Sequence, residues 1–526
     1  SRILYGECRH NCLSGAPFLP SPSPTCSLAP LHTSAPMAAA AAGATPATAR
    51  KALLSTTSTL LSSSLARSRR SLSCAAASAT APRIAQQPPD LLRWVQREGG
   101  FVHPGLRVAD HPEYGLGVSA TAADGVIPPG AVLIDLPGRI PLRLRRAANA
   151  EDAVLMQLAD QVPEELWAMR LGLRLLQERT KSDSFWWPYI ANLPETFTVP
   201  IFFPGEDIKN LQYAPLLHQI NKRCRFLLEF EKEVKQKLGN VPSGDHPFCG
   251  QGVPSSSLGW AMSAASSRAF RLHGEIPMLL PLVDMCNHSF SPNARIVQVG
   301  DVDSPDMSVK VVAETQIDQN AAVTLNYGCY PNDFYLLDYG FVVTSNPYDQ
   351  VELSYDGNLL DAASMAAGVT SPNFSTPAKW QQDILSQLNL HGEGAILKVS
   401  LGGPDVVDGR LLAALRVLLA ADLETVGKHD LKTLMSLSNN APLGPTVEAS
   451  ALRTVLALCA IALQHFHTKI MEDQAILKGE PPLPTELAVQ FRLQKKLMLV
   501  DVMQNLSRRI KTLPAEKSAV EDNILG

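Results

Sequence analysis

The stretch "VDMCNHSFSPNARI" at residues 283–296 limits the possible folds more than any other part of this chain. An Asn-His pair follows the apolar run "IPMLLPLVDMC" and precedes a Pro-Asn turn. Polar side chains so close to an apolar segment need hydrogen-bond partners. Taken alone, the stretch fits four kinds of structure: a metal site, a Cys/His nucleophilic pair, a turn that satisfies its own polar groups, or a ligand pocket.

The first two alternatives have little support. Cys286 and His288 are the only soft ligands in the stretch, and the sequence contains no second cluster with zinc-ligand spacing. A nucleophile and its base normally come from separate elements and are oriented by a third group, whereas these two residues are two positions apart. We therefore predict no metal. The local turn stays open, because Ser289 and Asn293 can bond nearby backbone groups.

The first 89 residues have the composition of a targeting segment. They contain eight Lys/Arg and a single acid, Glu7, and no Asp or Glu occurs between Met37 and Pro89. Arg- and Ser-rich, acid-poor N-termini are typical of organelle transit peptides. We predict a disordered leader and transit peptide over 1–89, with the transit peptide starting from Met37. The expected location is the chloroplast stroma, with the mitochondrion as the alternative.

The rest of the chain is acidic. Without the first 89 residues the net charge changes from −4 to about −11, which argues against nucleic-acid binding because that requires a basic face. The longest apolar run in the C-terminal part, "TVLALCAIAL" (454–463), is too short to span a bilayer. Five widely spread cysteines without a CxxC suit a reducing compartment. We expect a soluble monomer with neither nucleic-acid nor membrane partners.

Periodicity divides the remaining chain into alternating parts. The segment "GLGVSATAADGVIPPGAVLIDLP" (115–137) alternates short apolar runs with Gly and Pro, which predicts strands. From about residue 150 the apolar spacing becomes three and four, which predicts helices. Strand-like segments return in "RIVQVG", "MSVKVVAE" and "AAVTLNYG", and the chain is largely helical beyond about 350. A β domain split by a helical insert must bring residues near 115 together with residues 285–340.

Two Tyr-Gly pairs follow the Asn-His segment, twelve residues apart in "TLNYGCYPNDFYLLDYGFV" (324–342). Upstream, "HPEYGLGV" (111–118) contains Gly-x-Gly but lacks the third glycine and the acidic residue of a dinucleotide-binding fingerprint. It remains a place where backbone can closely approach a ligand. Together the three segments form a constellation that favours a ligand pocket over a purely local turn.

This constellation resembles the SET-domain protein methyltransferases. The resemblance rests on "NHSFSPN", "VTLNYG" and "DYGF". The segments "SFWWPYIANLP" (184–194) and "SSRAF" (266–270) narrow it to the branch of the plant Rubisco large-subunit lysine N-methyltransferase and the actin-histidine methyltransferases. It implies an α+β fold: a SET-domain β-fold interrupted by a helical insert, then an all-α C-terminal domain. The implied parts are 90–149 and 258–345 for the SET domain, 150–257 for the helical insert, and 346–526 for a helical substrate-binding domain.

The resemblance also implies S-adenosylmethionine as the cofactor and a protein as the substrate. The residues that would bind the cofactor are Tyr114, Gly115, Leu116, Arg268, Asn287, His288, Tyr327 and Phe341. Arg268 would meet the cofactor carboxylate in a charge-assisted pairing. The residues near the substrate would be Arg268, Asp284, Tyr327 and Tyr339, with Tyr327 and Tyr339 as the catalytic residues of the methyl-transfer channel. Each side chain also has a structural alternative, such as a buried tyrosine with a bonded hydroxyl.

In such a site the sulfonium supplies the reactivity, and the protein mainly binds and aligns the reactants. A lysine amine, with a pKa of about 10.4 in water, must lose a proton, and an apolar aromatic channel lowers that pKa. A histidine target needs less deprotonation, so the chemistry alone does not separate the two. We expect a protein-lysine N-methyltransferase that acts on a non-histone plastid protein such as the Rubisco large subunit or aldolase.

Two alternatives remain open. One is a protein-histidine N-methyltransferase. The other is an inactive SET-domain module that binds a partner protein through its C-terminal domain. Two departures from the family pattern favour the module: Tyr114 stands where relatives have an acidic or polar residue, and "QNAA" (319–322) replaces a frequent Gly-Glu-Glu.

Overall fold

The computed structural model describes residues 82–111, 115–121, 125–144, 149–272, 276–369, 374–437 and 441–514. The strands are β1 (Phe101–Val102), β2 (Leu106–His111), β3 (Gly115–Ala120), β4 (Val132–Pro137), β5 (Leu142–Arg143), β6 (Ala269–Arg271), β7 (Pro277–Leu279), β8 (Asn287–His288), β9 (Ala294–Val299), β10 (Ser308–Ala313), β11 (Thr324–Leu325), β12 (Gln350–Ser354) and β13 (Lys398–Gly402). The helices are α1 (Leu91–Arg97), α2 (Ala150–Asp160), α3 (Ala168–Thr180), α4 (Trp187–Ile190), α5 (Gly205–Asn210), α6 (Ala214–Leu238), α7 (Ser255–Arg268), α8 (Asn332–Phe334), α9 (Gly357–Ala366), α10 (Lys379–Gln387), α11 (Gly409–Leu419), α12 (Leu423–Gly427), α13 (Leu431–Met435), α14 (Pro445–Gln464), α15 (Ile470–Lys478) and α16 (Leu483–Thr512).

The folded part begins before residue 90. The backbone N–H of Ile84 donates to Leu193 O at 2.9 Å, and that of Glu195 donates to Pro82 O at 2.7 Å. Residues 82–89 therefore belong to the fold rather than to the disordered leader predicted over 1–89. Composition missed this because main-chain pairing does not depend on side-chain type. The rest of the predicted leader and transit peptide lies outside the described residues.

Short antiparallel sheets build the two parts predicted for the SET domain. The largest has the strand order β1-β4-β10-β9, and two smaller ones have the orders β2-β3 and β5-β7-β6. Alternate residues of β10 face the core, and its Val309 and Val311 are fully buried, the pattern of a sheet with one covered face. In β4 the neighbours Leu133 and Ile134 are both buried, where the register with β10 shifts.

The predicted meeting of residues near 115 with residues 285–340 is confirmed. The N–H of Val323 donates to Val118 O at 2.8 Å, and that of Ala120 donates to Ala321 O at 2.9 Å. The intervening insert is helical, as predicted, and its α3 packs along α7. Gly172 permits this close packing, because a Cβ there would lie 2.9 Å from the backbone of Ala261.

The insert contributes to two hydrophobic cores. Its first helices pack into the core of the β sheets, whereas Phe203, Leu211, Tyr213, Leu216 and Ile220 pack into the core of the C-terminal region. The second core also takes Leu336 and Leu337 from the segment between the two Tyr-Gly pairs. The C-terminal region thus packs directly against the part of the chain that carries the tyrosines.

The C-terminal region is helical, as predicted, with one addition. Strands β12 and β13 form an antiparallel pair whose register runs from Gln350–Gly402 to Ser354–Lys398. An all-α domain was the expectation, and these segments were missed because each is short and its partner lies more than forty residues away in sequence.

One helix among the described residues, α14, is long and apolar enough to cross a membrane by length and composition alone. The apolar run 454–463, which is too short by itself to span a bilayer, is one part of this longer helix. It packs against α9, α11 and α16, and Glu448 in its first turn pairs with the buried Arg416 at 2.7 Å. These contacts make it a core helix of the C-terminal region.

Candidate functional site

A cavity lies where the β sheets meet the insert. Its walls come from the segment before α1, the loop after α4, strand β3, the end of α7, the Asn-His segment and both Tyr-Gly segments. The residues that line it are Arg83, Leu116, Asn192, Pro194, Thr196, Phe197, Thr198, Ser267, Arg268, Asp284, Met285, Asn287, His288, Tyr327, Tyr339 and Phe341. Segments far apart in sequence thus form one concave surface.

The Asn-His segment is held by hydrogen bonds to the first Tyr-Gly segment. Strands β8 and β11 pair in parallel, with Asn287 opposite Thr324 and His288 opposite Leu325. Asn293 adds two hydrogen bonds to the same segment. Its Oδ1 accepts from Thr324 N at 2.8 Å, and its Nδ2 donates to the carbonyl oxygen of Ala322 at 2.8 Å. The Pro-Asn turn is therefore satisfied locally and also fixes the cavity floor, so two of the alternatives for this stretch hold together.

Gly117 allows the Asn-His segment to approach β3. A Cβ at this position would collide with the Asn287 side chain and would lie 2.9 Å from the carbonyl oxygen of Met285. Asn287 Nδ2 in turn donates to Leu116 O at 3.4 Å. The second glycine of Gly-x-Gly thus makes room for a protein side chain, and Leu116 of the same motif lines the cavity.

His288 is neutral and has a defined tautomer. Its Nδ1 accepts a hydrogen bond from the backbone N–H of Tyr327 at 3.2 Å, so the proton of the neutral ring lies on Nε2. Nε2 then donates to the hydroxyl oxygen of Tyr335 at 3.1 Å, and that hydroxyl donates to Gly328 O at 2.6 Å. Burial lowers the pKa of His288 to about 4. The side chain therefore ties together both Tyr-Gly segments.

The two predicted tyrosines lie side by side. The rings of Tyr327 and Tyr339 stack with centroids 5.2 Å apart. The Tyr327 hydroxyl donates to Cys286 O at 2.6 Å, which fixes the ring against the Asn-His segment. Burial raises the pKa of both hydroxyls above the usual tyrosine value. Both therefore stay protonated near neutral pH and act as hydrogen-bonding groups rather than as bases.

A buried polar group forms another wall. Asp284 Oδ2 accepts from the Tyr189 hydroxyl at 2.7 Å and pairs with Arg268 Nη1 at 3.3 Å. Burial raises the pKa of Asp284, although Arg268 and Tyr189 oppose the rise. Asp284 Oδ1 and Arg268 Nε are buried and have no hydrogen-bond partner among the described residues. Buried polar atoms without partners are costly, so this wall is suited to a polar ligand.

Most of the predicted site residues meet in this cavity. Its lining includes Leu116, Arg268, Asp284, Asn287, His288, Tyr327, Tyr339 and Phe341. Gly115 is the first residue of β3, and Tyr114 lies outside the described residues.

Sequence reasoning missed three contributors to the site. Arg83 lines the cavity and donates to Asn192 Oδ1 at 2.7 Å, but it lay within the predicted leader. Tyr189 lies in the segment "SFWWPYIANLP", but nothing in that segment indicates that its hydroxyl bonds Asp284. Tyr335 precedes Tyr339 by four positions, a spacing that places both on one helical face, and this signal was available.

The sequence predicts no metal site. Among the described residues there is no group of three or more His, Cys, Asp or Glu side chains arranged to hold a metal ion. Cys286 is buried, and burial raises the pKa of its thiol well above the usual value. In the described fold it is a packed side chain rather than a thiolate nucleophile.

Comparisons with known proteins agree on the fold. Residues 372–499 match the family model described as Rubisco LSMT substrate-binding. A solved structure of the LSMT SET domain bound to lysine and AdoHcy superimposes with a TM-score of 0.56 at 19% identity, covering 80% of this chain and 90% of that one. Rubisco LSMT bound to AdoMet gives a TM-score of 0.55 at 18% identity, covering 80% and 91%. The predicted α+β fold, a SET-type fold with a helical C-terminal region, is confirmed.

Proteins of similar sequence include actin-histidine N-methyltransferases. The protein from Callithrix jacchus is 22% identical over 422 residues, covering 78% of this chain and 67% of the relative. The protein from Mus musculus is 23% identical over 423 residues with the same coverage. The sequence relatives and the structural neighbours therefore carry names that point to different target residues.

Proposed function

We propose that this chain, which has a SET-type fold with a Rubisco LSMT substrate-binding region, is an S-adenosylmethionine-dependent protein-lysine N-methyltransferase. One observation carries the proposal: a single cavity brings together Arg268, the Asn287-His288 pair and the stacked Tyr327 and Tyr339. The solved structures of similar fold hold AdoHcy with lysine, or AdoMet, which supports the same ligands for this chain.

The residues of the cavity fit the cofactor. Arg268 supplies a guanidinium whose Nε has no partner among the described residues, and a carboxylate is the natural ligand of such a group. Phe341 stacks on Tyr335 with centroids 5.1 Å apart and lines the cavity, so a flat apolar surface is present for a purine. Leu116 and Asn287 offer backbone groups beside it. When bound, the cofactor supplies a methyl group on a positively charged sulfur.

The protein's own task is to bind and orient the target amine. Tyr327 is held by Cys286 O, which leaves the other side of its hydroxyl oxygen free to accept from an amine N–H. Asp284 Oδ1, the buried oxygen without a partner among the described residues, is a second acceptor in the same wall. The aromatic surroundings disfavour an ammonium and lower the pKa of the entering lysine. Accurate placement of the neutral amine then provides most of the rate enhancement.

The aromatic side chains around Tyr327 favour lysine over histidine as the target residue. Phe270, two positions after Arg268, packs edge-on to Tyr327 with centroids 6.3 Å apart, which adds an apolar side chain to the tyrosine pair. A long aliphatic side chain gains from such a lining, whereas an imidazole needs a polar partner for its second nitrogen. Histidine remains the second candidate, because the relatives of similar sequence are named actin-histidine N-methyltransferases and Asp284 Oδ1 can supply that partner.

The decisive experiment has two stages. Isothermal calorimetry of the purified chain with S-adenosylmethionine tests the pocket, and absence of binding would support the alternative of an inactive partner-binding module. Label transfer from methyl-labelled cofactor to stromal extract then tests the reaction, and mass spectrometry identifies the modified residue. Methyl-lysine supports the proposal, whereas methyl-histidine replaces it with the second candidate.

The Tyr327→Phe variant tests the role of the Tyr327 hydroxyl in this reaction. It keeps the ring stack but removes the hydroxyl, so we expect cofactor binding to persist while label transfer falls by about a hundredfold, the typical effect of a lost orienting contact. Unchanged transfer would remove Tyr327 from the catalytic role.

The substrate and the compartment are also proposals. The acid-poor, Arg- and Ser-rich sequence of residues 37–89 supports import into a plastid, and a non-histone stromal protein such as the Rubisco large subunit or aldolase is then the natural target. A fluorescent fusion of the full chain tests the location: mitochondrial fluorescence would exclude stromal targets, whatever the outcome of the calorimetry.

A further inference from the structure

The tyrosines of the second Tyr-Gly segment lie on an unusual turn. Residues Tyr335–Tyr339 form a single π-helical turn, a conformation that is rare and often found at functional sites. This one turn carries Tyr335, which bonds His288, and Tyr339, which stacks on Tyr327. A small movement of the turn would therefore displace Tyr339 in the channel and the Tyr335 hydroxyl that bonds His288.

Side chains of two helices bond Asp338 near the C-terminal end of the turn. Arg223 of α6 forms an ion pair with Asp338, with Nη1 2.9 Å from Oδ1, and Ser266 of α7 donates to the carbonyl oxygen of Asp338 at 3.2 Å. Arg223 belongs to the helical insert, and Ser266 directly precedes the cavity residues Ser267 and Arg268, so this end is fixed from within the SET-type fold and its insert.

The N-terminal end is held from the C-terminal region. Lys495 of α16 is completely buried, and its Nζ bonds Asp333, Asp349 Oδ1 at 2.7 Å and the carbonyl oxygen of Gln350 at 2.6 Å. Asp333 lies two positions before the turn. Asp349 also accepts from the backbone N–H of Asn332 at 3.0 Å, so the ammonium is connected twice to the start of the turn.

The charges of this cluster stabilise one another. Burial opposes the charge of Lys495, but the carboxylates of Asp333 and Asp349 outweigh it and raise the pKa of the amine. The aromatic rings of Tyr213 and Phe491 lie 5.3 and 5.2 Å from Nζ and enclose the group. A charged lysine buried between two carboxylates cannot leave without exposing them to each other, so the helix and the turn move together.

We propose that Lys495 and Asp333 are positioning residues through which the substrate-binding region holds the channel tyrosines in place. Lys495 lies within residues 372–499, which match the Rubisco LSMT substrate-binding model. The region that matches a substrate-binding family thus forms an ion pair with the residue two positions before the turn, and the geometry of the channel depends on the position of α16. The inference deepens the proposed function and rests on it for its catalytic consequence.

The test uses Asp333→Asn in the full chain. The substitution keeps the shape of the side chain and leaves Lys495 paired with Asp349, so the fold has no uncompensated lysine. The matched control is Lys496→Met, one position further along the same helix. Lys496 bonds Asp473 at 2.6 Å, and its loss leaves Asp473 paired with Arg492 at 2.9 Å. The control removes a comparable buried ion pair that does not touch the turn.

Two measurements are made on each variant. Hydrogen exchange followed by mass spectrometry reports the turn directly: exchange in peptides covering 335–341 should rise about tenfold in Asp333→Asn and stay unchanged in Lys496→Met. The rate of label transfer to stromal extract, at saturating S-adenosylmethionine, should fall about tenfold in Asp333→Asn and less than twofold in the control. The dissociation constant for the cofactor should change less than twofold in both.

The outcomes separate this inference from the proposed function. If Asp333→Asn exchanges like the unaltered protein over 335–341, the ion pair does not hold the turn and the inference fails. It also fails if Lys496→Met has the same effects, because general destabilisation then explains them. If the unaltered protein neither binds the cofactor nor transfers label, the proposed function fails, and hydrogen exchange alone still decides whether the turn is held by Lys495.

Discussion

Replacement of His288 by Asn should make the unfolding free energy of this protein less sensitive to acid. His288 is buried, accepts from Tyr327 N and donates to Tyr335, and burial lowers its pKa to about 4. In the unfolded chain an imidazole titrates near 6.5. The Asn side chain is polar and small enough for the site, but it does not titrate.

The sign and size follow from linkage. Between pH 6.5 and pH 4 the unfolded chain binds a proton that the native protein does not, so protonation favours unfolding. The stability that neutral His288 contributes is complete above about pH 6.5 and is lost as the pH falls toward 4. The fall of the pKa from 6.5 to about 4 corresponds to roughly 3 kcal/mol over this range.

Urea unfolding at pH 7.5, 6.5, 5.5 and 4.5 measures this effect in both proteins. Carboxylates titrate alike in the two, so the difference between their unfolding free energies isolates the imidazole. We expect the unaltered protein to lose roughly 2–3 kcal/mol more than His288→Asn between pH 7.5 and pH 4.5. Parallel curves would mean that native His288 titrates normally, and the tautomer and network assigned to it would then be wrong.

Other substitutions test single contacts. Gly117→Ala should cost about 1–3 kcal/mol of unfolding free energy and abolish cofactor binding. Gly205 has open space around it, so Gly205→Ala should be nearly neutral. Equal effects of the two substitutions would contradict the close approach at β3. Arg416→Met leaves Glu448 as an unpaired buried carboxylate and should cost about 3–5 kcal/mol in urea unfolding. Adding Glu448→Leu should recover at least half of that loss. Dialysis against a chelator should leave the melting temperature unchanged; a fall would reveal a structural metal.

The central site could be predicted because close backbone approach restricts residue type. Gly117, Asn287 and Asn293 occupy positions where the contact distance or hydrogen-bond pattern admits few alternatives. The Gly-x-Gly, Asn-His and Tyr-Gly segments therefore identified the fold and most of the cavity lining. The role of Gly117 differs from the expectation: it accommodates Asn287 rather than only a ligand.

The remaining contributors depend on tertiary contacts that leave no local pattern. Lys495 lies 162 residues from Asp333, and in sequence it is one of several basic residues on an amphipathic helix. Arg83 reaches the cavity through main-chain pairing of its segment, which composition cannot reveal. Strands β12 and β13 are each five residues long, too short for periodicity to outweigh the surrounding helical pattern.

The division of the insert between two cores has a consequence for how this protein folds. Five residues of the insert complete a core whose other buried side chains come from residue 336 onward: Phe203, Leu211, Tyr213, Leu216 and Ile220. A fragment ending at residue 345 would leave these side chains in water and would be prone to aggregate. We therefore expect the catalytic part and the C-terminal region to unfold in one cooperative transition, so that the boundary drawn from sequence separates two functions but does not mark an independently stable unit.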